Sequence, residues 1–252
     1  GSATLLTITH NRIGACIMTK TALVTGAGRR FGFEVAKALI KDGYKVFAHY
    51  NSSKDGVDEL SQLGAEPIQA NFARQHEVKE MVTQIKKNSS KLDLLINNAS
   101  CFFDNDTVDN DSEALEAVFQ VHNIAPYLLI TGLQQQLSNS DNGLIINITD
   151  IYTDKPSTNY IAYCAAKAGL ANMTQAFAKA LAPDVRVNAI QPGPILFLPE
   201  HDNEHKMQVL DETPLRVEGG LEPMIDTVRF LRDNPFLTGE SIKVDGGRAL
   251  NL

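Results

Sequence analysis

No tryptophan occurs anywhere in the 252 residues, and there are only three cysteines, Cys16, Cys101 and Cys164. An odd, widely spaced set with no Cys-x-x-Cys excludes a disulfide framework or a zinc knuckle and fits a reducing, cytoplasmic compartment. Cys164 reads as a small apolar residue on a packed helix. No apolar run approaches the ~20 residues a membrane span needs. Basic residues are in deficit: 23 Lys and Arg face 30 Asp and Glu, a net charge of −7. Binding a phosphate backbone needs a basic face, so nucleic acid is not an expected partner, whereas a local basic pocket for a small anion stays open. Repeats, linkers and low-complexity tracts are missing too, so one domain is expected.

What is present alternates strand with helix. Short, near-continuously apolar runs stand at 21–26 (TALVTG), 45–50 (KVFAHY), 66–71 (EPIQAN), 92–97 (LDLLIN), 143–149 (GLIINIT), 185–193 (VRVNAIQPG) and 241–244 (SIKV). Helical spacing marks 33–43, 54–64, 77–88, 112–137 (a long helix with a proline inside it), 161–182 and 221–233. Apolar strands separated by helices predict a parallel sheet covered on both faces, and right-handed crossovers make it doubly wound. The expected fold class is α/β: a Rossmann-type doubly wound parallel sheet of about seven strands, in a single domain over residues 19–252. Residues 1–18 read as a Gly-Ser tag scar and an N-terminal extension, with Met18 a candidate natural start. Ligands bind such sheets beyond the carboxyl ends of the strands. Gly26, Asn51, Asn71, Asn98, Asp150 and Pro192 all follow a strand.

The turn TGAGRRFG (25–32) joins the first strand to the first helix. Gly26, Gly28 and Gly32 let backbone amides approach a pyrophosphate, whose charge the helix N-terminus favours; Arg29, Arg30 and Phe31 share the turn. The second strand ends HYNSSK, with no acid before Asp55 to hold the ribose hydroxyls of NAD. A carboxylate would repel a 2′-phosphate, whereas Arg29, Arg30, Ser52, Ser53 and Lys54 can bind one, so NADPH is the expected cofactor. The plainer alternative is a solvated loop. Further on, Tyr163 and Lys167 are four residues apart and share a helical face. An ammonium beside a phenol favours the phenolate and brings the tyrosine pKa toward working pH.

These features occur in the order of the short-chain dehydrogenase/reductase family, which residues 20–249 resemble: the glycine turn, NNAS (97–100), Asn123, Tyr163–Lys167, Pro192–Gly193 and VDGG (244–247). The resemblance implies that Tyr163 is the proton donor, that Lys167 lowers its pKa and binds the nicotinamide ribose, and that Asn123 holds a water in the proton relay. It places Asn51, Ser52, Ser53, Asn71, Phe72, Asn98, Ala99, Ser100, Pro192 and Gly193 with the glycine turn and the Tyr–Lys pair around the cofactor. It also implies a homotetramer with the helices at 112–137 and 161–182 as interfaces. Three positions depart from the common pattern: Arg30 stands for the second fingerprint glycine, Asp150 for the usual serine, and NNAS followed by CFF (101–103) for NNAG. Asn71 stands where relatives commonly carry aspartate, and Ser52 where arginine sometimes follows strand two. The combination resembles the pteridine reductase branch, most of all its bacterial dihydromonapterin reductase group. It implies NADPH-dependent reduction of a 7,8-dihydropterin to the tetrahydro form, with dihydrofolate a second candidate substrate.

An aspartate suits that substrate. A carbonyl reductase wants a neutral donor for an oxygen that becomes alkoxide, and an ionised carboxylate would oppose that charge. A dihydropterin offers a ring imine, an amino group and N–H donors, from which a carboxylate can accept. Once buried, Asp150 should have a raised pKa suited to proton transfer. On this reading Arg30 reaches cofactor phosphate and the pterin carbonyl, and Phe102 covers the flat ring. Phe103 is the alternative to Phe102 if the register shifts by one, and Thr149 the alternative to Asp150 if a hydroxyl is used. His201–His205 (HDNEH) matches a zinc-binding pattern, but its loop setting argues against a metal, and none is expected. Residues 194–220 are expected to form a lid over the substrate. A reductase of a simple ketone or sugar, and a non-enzymatic NADPH-binding regulator, are the rival readings.

Overall fold

The computed structural model describes residues 19–198 and 201–252; the N-terminal extension, Cys16 and Met18 lie outside them. The apolar runs pair as seven parallel strands in the order β3-β2-β1-β4-β5-β6-β7. They are β1 (Thr21–Val24), β2 (Lys45–Tyr50), β3 (Glu66–Gln69), β4 (Leu94–Asn97), β5 (Gly143–Ile148), β6 (Val185–Pro192) and β7 (Ser241–Val244). Val24 pairs with Ala48 on one side and Ile96 on the other. The chain therefore reverses its winding between β1 and β4, and their carboxyl ends open the crevice where such folds take ligands.

The helices are α1 (Arg30–Lys41), α2 (Asp55–Gln62), α3 (Gln75–Asn88), α4 (Asn105–Asn110), α5 (Ser112–Phe119), α6 (Ala125–Gly132), α7 (Gln134–Ser138), α8 (Ile161–Leu181), α9 (Asn203–Asp211) and α10 (Glu222–Asp233). Alternate strand residues face opposite layers. Ala22, Val24 and Ile96 pack with Val35 and Leu39 of α1 and Val228 and Leu231 of α10. Leu23, Leu95 and Ile145 pack with Met81 and Ile85 of α3 and Leu129 and Ile130 of α6. Each fully buried Val, Leu, Ile or Met among them contributes about 1.5–3 kcal/mol.

The expected single helix over 112–137 is broken. After α5, residues 120–124 form a π turn, and Pro126 lies in the first turn of α6. Proline has no N–H to offer the carbonyl four residues back, here that of His122, and a widened turn absorbs the missing bond. Sequence spacing also misses α4 and α9. Both are short helices started by an aspartate: Asp104 accepts from Thr107 N and Asp202 from His205 N, caps worth about 1 kcal/mol each.

Candidate active site

The glycine turn leaves no room for side chains. Gly26 has φ +67°, and a Cβ there would stand 2.9 Å from Ala99 Cα. A Cβ on Gly32 would run into the Gly26 carbonyl and lie 2.6 Å from Asn98 Nδ2, and one on Gly28 would strike the Ser53 carbonyl. Asn98 closes the crevice by donating from Nδ2 to the carbonyls of Thr25 (2.9 Å) and Gly26 (3.2 Å). The backbone N–H groups of Asn98 and Ala99 both donate to Thr25 Oγ1 at 2.9 Å. His49, which sequence reasoning passed over, ties three strand ends together. Its Nδ1 accepts from Gly26 N (3.1 Å), its Nε2 donates to the Ala70 carbonyl (3.0 Å), and its ring stacks on Phe72 at 3.9 Å. Burial pushes its pKa down to about 4, so the ring is neutral.

These ends enclose a cleft of about 360 Å³ lined by Gly26, Gly28, Arg29, Arg30, Phe31, Gly32, Asn51, Ser52, Ser53, Asn71, Phe72, Asn98, Ala99 and Ser100, together with His49, Tyr50, Ala70, Cys101 and Val121. No carboxylate stands among them, and two exposed arginines do. The residues therefore fit a dinucleotide carrying an extra phosphate: a cradle that any Cβ would fill, and cations without an opposing acid among the described side chains that line it. Arg30 holds φ +50°, a left-handed conformation for a residue with a Cβ. Strain of about 1 kcal/mol or more at such a position is typical of functional turns. Pro192 and Gly193 do not line this cleft: Pro192 ends β6, and Gly193 packs on Asp245, whose Cβ a side chain there would approach to 2.6 Å.

Beside the cleft, Asp150 opens a 3₁₀ turn (Ile151–Thr153). One carboxylate oxygen accepts from Tyr152 N at 2.9 Å, and the other accepts from the Tyr163 hydroxyl at 2.8 Å. Thr149, the alternative hydroxyl, is buried and donates to the Ile190 carbonyl. Lys167 is buried, donates to the Ile148 carbonyl at 2.8 Å, and holds its ammonium 5.6 Å from the centre of the Tyr163 ring. Burial brings its pKa down to about 8, against the pull of Asp150. Burial also raises the Asp150 carboxyl, as expected. The expectation for Tyr163 is corrected: its pKa lies well above the ordinary value, through burial first and then the Asp150 charge and hydrogen bond. The phenol donates to the Asp150 carboxyl group, and the Lys167 ammonium lies beside its ring.

Asn123 sits in the π turn. Its Nδ2 donates to the Ala166 carbonyl of α8 at 2.8 Å, close against Gly169, and its buried Oδ1 accepts no bond among the described residues. The preceding residue, His122, is the one that meets Tyr163, edge-on at 5.4 Å between ring centres. Phe102 is 53% exposed, so it is no core residue. Its ring lies 4.5 Å from that of Tyr160 and 4.8 Å from that of Tyr163. Phe103 instead packs against the α4–α5–α8 cluster. Burial raises the Cys101 thiol to about 11 and raises that of Cys164 too, so neither is an activated nucleophile.

A family model described as short chain dehydrogenase matches residues 20–206. The chain belongs to the short-chain dehydrogenase family. The dihydromonapterin reductase of Enterobacter sp. (strain 638) is 37% identical over 231 residues, covering 91% of this chain and 96% of that protein. That of Escherichia coli (strain SMS-3-5 / SECEC) is 35% identical, covering 90% and 96%. Among solved structures, FolM alternative dihydrofolate reductase 1 from Brucella canis, complexed with NADP, superposes with a TM-score of 0.84 at 31% identity, over 92% of this chain and 95% of that one.

In this short-chain dehydrogenase the segment after β6 returns on itself. Gly219 N donates to the Pro194 carbonyl (3.1 Å) and Gly220 N to the Ile195 carbonyl (2.8 Å). Between these ends lies α9, none of whose residues is buried. His201 Nδ1 accepts from Leu198 N, and the rings of His201 and His205 lie 4.7 Å apart. Among the described residues no three His, Cys, Asp or Glu side chains are grouped to hold a metal ion. No described helix is long and apolar enough to cross a membrane.

Proposed function

We propose that this chain reduces a 7,8-dihydropterin to its tetrahydro form with NADPH, and that dihydromonapterin and dihydrofolate belong to its substrate class. The observation that carries the reading is the Asp150–Tyr163 hydrogen bond of 2.8 Å beside a buried lysine. A carboxylate there opposes the alkoxide of a ketone reduction but accepts from the N–H edge of a pterin. The dihydromonapterin reductases and the NADP-bound FolM structure are similar over nearly the whole chain, which supports the same reading.

The glycine turn, Arg29, Arg30, Ser52 and Ser53 would hold the cofactor phosphates, and Asn98, Ser100, Tyr163 and Lys167 its nicotinamide half. NADPH, when bound, supplies the hydride. Tyr163 gives its hydroxyl proton to the ring nitrogen. The Lys167 ammonium steadies the phenolate left behind, and Asp150, whose carboxyl burial makes easier to protonate, passes a replacement proton to Tyr163. Asn123 Oδ1 is a buried acceptor suited to the water that refills this relay. Phe102, with Tyr160 packed against it, covers the flat ring, and Arg30 binds its carbonyl oxygen. Residues 194–220 act as the lid. A cytoplasmic homotetramer completes the reading, and exposed Leu115, Phe119 and Tyr127 along α5 and α6 suit a subunit interface.

The test is NADPH oxidation over dihydromonapterin, dihydrobiopterin and dihydrofolate, with simple ketones and sugars alongside. Turnover of ketones without any pterin would replace the reading with a carbonyl reductase. Tight NADPH binding with no turnover on the whole panel would leave a cofactor-binding regulator.

A further inference from the structure

His122 has no part in the scheme above, yet it is wholly buried against the acid–base site. Its Nδ1 lies 2.8 Å from the Val118 carbonyl. A carbonyl can only accept, so Nδ1 carries the ring proton and Nε2 is left as an acceptor. Ser100 Oγ stands 2.9 Å from Nε2, so the serine hydroxyl donates to the ring. The other acceptor near Ser100, the Cys101 carbonyl at 3.5 Å, is too distant to compete. Burial, and then the Lys167 ammonium, hold the His122 pKa down to about 3 and keep the ring neutral.

Ser100 lines the cleft at the end of β4. A free hydroxyl there could offer a ligand either a proton or a lone pair. We infer that His122 is a positioning residue: locked in one tautomer by Val118, it draws the Ser100 proton inward, leaves Ser100 an acceptor-only group toward the cleft, and braces the Tyr163 ring. The group so prepared selects a ligand N–H, either the carboxamide of the nicotinamide or the amino and ring N–H edge of the pterin. The pterin half of this statement rests on the function proposed above.

The experiment compares His122→Phe, His122→Gln, Ser100→Ala and the Ser100→Ala/His122→Phe double variant, reading the NADPH Kd, the dihydropterin KM and kcat. Each of Ser100→Ala and His122→Phe should weaken one binding constant by about tenfold, the size of one neutral hydrogen bond. A rise in the NADPH Kd assigns the N–H to the carboxamide, and a rise in KM alone assigns it to the pterin. The double variant should be no worse than the worse single one, because both remove the same bond. Glutamine, whose amide oxygen can replace Nε2 as acceptor, should restore most of the loss. Additive losses, or glutamine no better than phenylalanine, overturn the inference, because a packing role alone produces both. Should His122→Phe fail to fold, the ring nitrogens decide: on Ser100→Ala in the NADPH-bound protein the Nε2 resonance must move, and an unmoved resonance overturns the inference equally. Wild-type protein inert toward every dihydropterin would defeat the proposed function alone, since the NADPH Kd and the Nε2 resonance still judge the His122–Ser100 pair.

Discussion

Replacing Asp150 by serine isolates the carboxylate that distinguishes this site. The side chain makes two bonds, to Tyr152 N at 2.9 Å and from the Tyr163 hydroxyl at 2.8 Å. Serine can still cap the 3₁₀ turn through Tyr152 N. Its shorter, neutral side chain cannot replace the charged acceptor of Tyr163. That bond, of a kind worth about 1.5–3 kcal/mol, holds the phenol in its protonated form, so losing it alone would make Tyr163 the stronger acid. What serine removes from turnover is the buried carboxyl that returns a proton to Tyr163, and losing one such acid–base group should lower kcat for a dihydropterin by about a hundredfold. Asp150 does not line the cofactor cleft, so the NADPH Kd should stay where it is. The pH profile should move as well. Asp150 holds the Lys167 pKa up against burial, toward about 8. Without the carboxylate that pKa falls further, and activity that needs the ammonium is lost at lower pH on the alkaline side. Steady-state NADPH oxidation across pH, with cofactor binding followed by fluorescence, measures all three effects. Dihydropterin turnover equal to wild type would refute the argument, and so would an equal loss in NADPH affinity.

Tyr163→Phe should cut kcat by about a hundredfold or more, as single-turnover assays can check; a smaller loss would move the proton donor elsewhere. Gly32→Ala forces a Cβ into the Gly26 carbonyl and to 2.6 Å from Asn98 Nδ2, so NADPH binding should be lost in titration calorimetry, and retained affinity would contradict the geometry. His49 has a folded pKa of about 4, below its ordinary 6.5. Between those values the unfolded chain binds a proton that the folded chain refuses, so stability falls as pH drops through this window, by about 3 kcal/mol. Denaturant midpoints at pH 7 and pH 4.5 should show a steeper loss for wild type than for His49→Gln, and equal losses would remove His49 as the cause.

Much of this protein is written locally. The alternation of apolar strand and helix sets the order of elements, because each segment must bury its own apolar face whatever its neighbours are. The glycine turn, the acid-free end of β2 and the Tyr163–Lys167 spacing are equally local, and so the cofactor cleft is legible from residue types next to one another in the chain. The tertiary structure decided what depends on groups distant in sequence. It broke the helix at 112–137 with a π turn ahead of Pro126, and it set Phe102 rather than Phe103 at the open face. It reversed the expected direction of the Tyr163 pKa, because that value sums burial and charge over the whole surroundings. It also joined His122 to Ser100 across 22 residues and His49 to Gly26 across 23. A propensity or a turn is a property of neighbouring residues, whereas a hydrogen bond between strand ends, or a desolvated charge, exists only once the chain has closed around it.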